Sequence, residues 1–63
     1  MKMQVEFDES RRVFKIRQEA YGGVTIVNYP ETFDSFEVVG DELVVSRNGS
    51  VAARFGSDGR FRL

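Results

Sequence analysis

The chain has 63 residues, 41% hydrophobic and 30% charged, with 10 acidic side chains against 9 basic ones and a net charge of −1. That is the size of one small domain, whose stability is marginal because so little surface can be buried. It contains no Cys and no His, which excludes disulfides, thiolate or imidazole metal sites, and any Ser-His-Asp or Cys-His catalytic centre. The near-neutral charge gives no overall attraction to nucleic acid or anionic membranes. Without staples, a fold of this length needs unusually tight packing or partner subunits, so self-association is expected.

From the N-terminus, Met3, Val5 and Phe7 alternate with Lys2, Gln4 and Glu6, the period of a half-buried strand. Residues 8–11, "DESR", form a turn cluster. Residues 12–20 have two readings. As a strand, Phe14 and Ile16 point inward opposite Phe7 and Val5. As a helix at about 9–21, Val13, Phe14, Ile16, Ala20 and Tyr21 share one side, with Asp8 as cap and Gly22 as stop. The β-branched and aromatic centre of the segment favours the strand. Gly22-Gly23 is a turn. Residues 24–29, "VTIVNY", carry bulky side chains on both faces, which predicts a central strand. Pro30 ends it, and residues 30–35 make the longest loop.

Three turn signals organise the rest. Gly40-Asp41 fits a two-residue hairpin turn that sets Val38 opposite Leu43 and Phe36 opposite Val45. If Asn48-Gly49 were also a two-residue turn, Val45 would face Ala52 and Leu43 would face Arg54, scattering the apolar residues over both faces. A three-residue loop, Arg47-Asn48-Gly49, sets Val45 opposite Val51 and Leu43 opposite Ala53 instead. Ser57-Asp58-Gly59 works the same way and sets Phe55 opposite Phe61. One face then collects Phe36, Val38, Leu43, Val45, Val51, Ala53, Phe55, Phe61 and Leu63. The expected fold is all-β: a small antiparallel meander, covered by the N-terminal strands, closing into a sandwich or SH3-like barrel of six or seven short strands. An α+β fold with one helix at about 9–21 is the alternative. Size and strand pattern resemble SH3-like and Sm-like small barrels at the level of fold alone.

The outer face of the meander carries the candidate chemistry. The registers above set Glu42, Arg54 and Arg62 side by side, with Arg60 and Glu37 on the same face and Arg47 at a loop tip. Val39, Val44 and Ala52 also point outward, an apolar centre inside a polar rim. Phe33 in the 30–35 loop is a further contact candidate. The expectation is a non-enzymatic protein-binding or assembly module that self-associates through Val39, Val44, Ala52, Arg54, Arg60, Arg62 and Phe33. A phage or mobile-element accessory protein or an inhibitor would fit that size. The alternative is a nucleic-acid binder using Arg47, Arg54, Arg60 and Arg62 on phosphates, with Tyr21, Tyr29 and Phe33 free to stack on bases. No cofactor or metal is expected. The chain has no phosphate-cradling loop, and Glu31, Asp34 and Glu37 lack the spacing of a calcium loop. No apolar stretch reaches signal-peptide or membrane-spanning length, so the expected location is cytoplasmic with no membrane partner.

Overall fold

The structure, a computed structural model, describes residues 3–19 and 22–62. Tyr21 and Leu63 lie outside them. The strands are β1 (Met3–Asp8), β2 (Val13–Gln18), β3 (Val24–Asn28), β4 (Ser35–Val39), β5 (Glu42–Arg47), β6 (Ser50–Gly56) and β7 (Phe61–Arg62). They form two antiparallel sheets, ordered β1-β2-β3 and β4-β5-β6-β7. The protein is therefore all-β, and it is a sandwich, not a closed barrel. β1 lies against β4, yet no ladder joins the two sheets among the described residues.

The helix alternative at 9–21 is overturned. β2 pairs with β1 through Phe7–Phe14 and Val5–Ile16, the partners that the alternation requires. The hairpin loop between them closes on Asp8, whose carboxylate accepts the Ser10 hydroxyl at 2.8 Å and the Arg11 N–H at 3.4 Å. The Ser10 bond is the main reason that the Asp8 carboxyl titrates below its ordinary value. The Arg11 amide and the Lys15 and Arg11 charges act in the same direction, and partial desolvation opposes them. A lowered folded-state pKa contributes stability that is present above the unfolded carboxyl value and lost as pH falls through the folded one. Thermal melts should therefore show wild type ahead of Asp8→Asn near neutrality, with the gap closing only on strong acidification.

The core lies between the sheets. Phe14 is fully buried. Its ring lies 4.7 Å from Phe7, 5.1 Å from Phe36, 5.4 Å from Phe33 and 5.6 Å from Tyr29. Ile16 and Val27 join it from the first sheet, and Leu43, Val45, Ala53 and Phe55 from the second. Arg12 closes one end of this cluster. Its guanidinium sits over Phe7 at 4.9 Å and Phe33 at 5.7 Å and donates to the Glu31 carbonyl, while its own carbonyl accepts the Tyr29 N–H at 2.8 Å. Those contacts hold a non-glycine residue at φ 57°, a conformation that disfavours side chains.

Two hairpins match the sequence reading. Val38 pairs with Leu43 and Phe36 with Val45 across Gly40-Asp41, and Phe55 pairs with Phe61 across residues 57–59. The β5–β6 hairpin differs. Asn48 and Gly49 both have positive φ, 55° and 78°, the signature of a two-residue type I′ turn. Arg47 pairs with Ser50 and Ser46 with Val51, and a bulge then shifts the register so that Val45 meets Ala53 and Leu43 meets Phe55. The extra residue is Ala52. It restores the buried face that a plain two-residue turn would have scrambled. Asp34 pins this bend: its carboxylate accepts the Asn48 N–H at 2.6 Å and its own N–H donates to the Ser46 carbonyl at 2.9 Å.

Three further expectations are corrected. β3 is an edge strand of the three-stranded sheet, with β2 at its centre. Val51 pairs with outward-facing Ser46 and leaves the core, 61% exposed. Phe61, on the two-residue β7, is exposed too.

Candidate interaction surfaces

On the outer face of the four-stranded sheet, one cross-strand row runs Glu37, Val44, Arg54, Arg62, and the next runs Val39, Glu42, Gly56. Glu42 thus faces Gly56 and not Arg54. A side chain on Gly56 would lie within 2.5 Å of the Arg62 guanidinium, so the missing Cβ is what lets that guanidinium cross β6. It ends 3.9 Å from the Glu42 carboxylate. Arg60 turns back on its own hairpin, 3.7 Å from Asp58. Both are solvated pairs that add little to stability. Arg54 is half-buried and Arg47 is exposed at the end of β5. The sheet sets Arg54 and Arg62 side by side, and Arg47 lies three residues, about 10 Å, further along β5 than Val44, the partner of Arg54.

The apolar members of this face do not form one patch. Val44, the expected centre, is 9% exposed and offers no contact surface. Val39 is exposed beside Glu42 at one end of β5, while Val51 and Ala52 are exposed beside Ser46 near the other. The distance along the strand between those rows is about 13 Å. Phe33 is half-buried among Phe7, Phe14, Tyr29 and Phe36, and Tyr29 is buried. Neither is free to stack on a base. The reason lies in the core: Phe14 is fully buried, and the 29–36 segment supplies Tyr29, Phe33 and Phe36 as aromatic neighbours for its ring.

A different surface stands out once the four edge strands are compared. β1 directs Gln4, Glu6 and Asp8 to its outer face, β4 carries Glu37 at its middle, and β7 carries Arg62 with Arg60 just before it. Charged side chains of this kind are how natural sheets protect their edges from pairing. β3, "VTIVN", has none. On its inner side Val27 is buried, and Gly59, at the end of the 57–59 turn, packs closely against Thr25 and Val27. On its outer side Val24 is 44% and Ile26 54% exposed, next to Arg17 and Lys15 of β2. Among the described residues no hydrogen bond reaches the far side of β3. The same bulk on both faces that predicted a central strand is present on an edge.

No family model, curated protein or solved structure matches the chain. Among the described residues, no helix is long and apolar enough to cross a membrane.

Proposed function

We propose that the protein is a non-enzymatic binding module that works by β-strand addition at the free edge of β3. The carrying observation is the contrast among the four edges. Three bear charges, and the fourth is an uncharged, β-branched strand with Val24 and Ile26 exposed. An extended partner segment there would gain main-chain hydrogen bonds along the edge and apolar contact with those two side chains. Because β3 is braced from beneath by residues 57–59, the template is already ordered when a partner arrives. That lowers the entropic cost of binding. The arginine face supports its own reading less well: Arg60 and Arg62 each lie beside a carboxylate, and Tyr29 and Phe33, two of the rings that would stack on bases, are packed into the core.

The experiment is affinity capture from native lysate with and without nuclease, comparing wild type with Ile26→Lys. Ile26 is exposed, so the variant should melt within a few degrees of wild type. Nuclease-resistant capture of a protein that Ile26→Lys abolishes is the expected result. Capture that nuclease removes, or that weakens steeply with added salt as phosphate contacts do, would transfer the function to Arg47, Arg54, Arg60 and Arg62.

A further inference from the structure

The edge of β3 has a geometry that a second copy of the same strand can match. The bond from the Tyr29 N–H to the Arg12 carbonyl fixes the phase of the β2–β3 ladder. Hydrogen-bonded and non-hydrogen-bonded pairs alternate along antiparallel strands. Thr25 and Val27 therefore turn their backbone groups toward β2, and Val24, Ile26 and Asn28 turn theirs toward the open side. These three are evenly spaced about Ile26. An antiparallel copy of the same strand, related by a two-fold axis at Ile26, sets Ile26 against Ile26, Val24 against Asn28 and Asn28 against Val24. Every outward-facing donor and acceptor then meets its complement. Three hydrogen-bonded pairs at two bonds each give about six new main-chain bonds. On the outer face the two Ile26 side chains, exposed in the single chain, come together at the centre.

We infer that the partner on this edge is a second copy of the chain, paired β3 to β3 in a continuous six-stranded sheet. This deepens the strand-addition reading and rests on it. Charge allows the arrangement. β3 itself is uncharged, and Lys15 and Arg17 of the two copies would stand three strand spacings apart, about 14 Å, beyond the roughly 8 Å screening length at physiological salt. Charge also stops it at two. The opposite edge, β1, carries Glu6 and Asp8 on its outer face, so a dimer cannot extend into a filament by the same contact. A five-residue edge covers much less than the roughly 1,000 Å² typical of a stable interface, so the dimer is a reversible one that dilution dissociates.

The test is sedimentation over a dilution series for wild type, Ile26→Lys, Ile26→Glu and, as a control on the other sheet, Val51→Lys. Wild type and Val51→Lys should pass from monomer to dimer as concentration rises. Ile26→Lys and Ile26→Glu should each remain monomeric across that range, since like charges directly opposite repel. Mixing the two should restore a dimer containing one of each, because the two-fold axis sets the new Lys against the new Glu. A wild-type protein that stays monomeric, an Ile26→Lys variant that dimerises normally, or a mixture that fails to pair overturns the inference. If wild type is monomeric while lysate capture still depends on Ile26, strand addition survives with a different partner. If both are absent, both readings fall.

Discussion

Phe14→Ala should leave most of the protein unfolded at room temperature. Phe14 is fully buried and meets the rings of Phe7, Tyr29, Phe33 and Phe36. Phe7 and Tyr29 come with the first sheet, Phe36 with the second, and Phe33 with the loop between them. The ring therefore joins the two sheets at a point where no ladder does. Truncating a buried Phe costs about 3–5 kcal/mol, transfer and cavity terms together. A core in a domain this small supplies no more than about 3–5 kcal/mol in total. Phe14→Leu keeps most of the volume and should lose clearly less. Circular dichroism melts of both variants check this. A cooperative transition for Phe14→Ala close to that of wild type would mean that the sheets are held together by something other than the aromatic cluster.

The strand pattern was legible because apolar alternation and turn chemistry agreed. Phe7 opposite Phe14, Val38 opposite Leu43 and Phe55 opposite Phe61 all follow from them. The β5–β6 hairpin marks the limit. A three-residue loop and a two-residue turn with a bulge both insert one extra residue, so both send Ala53 and Phe55 inward. Beyond the bulge they differ by two residues in pairing, which keeps the faces of Ala53 and Phe55 but changes every neighbour, and before it Val51 turns outward opposite Ser46. Glu42 meets Gly56 and not Arg54, so it leaves the expected row by one pair of residues, while Arg54 stays beside Arg62. The deciding partner, the Asp34 carboxylate on the Asn48 N–H, lies fourteen residues upstream, where local pattern does not look. Tyr29 and Phe33 sit at a strand end and in a loop, where there is no period to say which way a ring points. The opposite lesson comes from β3. Bulk on both faces is read from sequence as a strand with two neighbours, and the single chain provides one. The mismatch locates the candidate site more sharply than the arginines did.

Gly59→Ala should be the most damaging single-methyl substitution in the protein, lowering stability by about 2–5 kcal/mol from two separate causes. Gly59 has φ +80°, and an L residue held in that region costs about 1–2 kcal/mol. The added Cβ would also lie 2.6 Å from the Thr25 Cγ2 and 3.3 Å from the Val27 Cγ2, and overpacking of that kind costs about 1–3 kcal/mol. Gly49→Ala separates the two terms. Gly49 has nearly the same φ, +78°, but nothing lies within 4 Å of its added Cβ, so it should show the conformational cost alone. In urea melts the difference between the two variants then measures how firmly residues 57–59 brace β3. Amide exchange gives the matching local readout: in Gly59→Ala the Thr25 and Val27 amides should exchange faster, whereas Gly49→Ala should leave them closer to wild type. If the two variants lose equal stability and β3 exchanges equally in both, the 57–59 turn does not support that strand. The open edge would then be a loosely held segment and not the ordered template that strand addition requires.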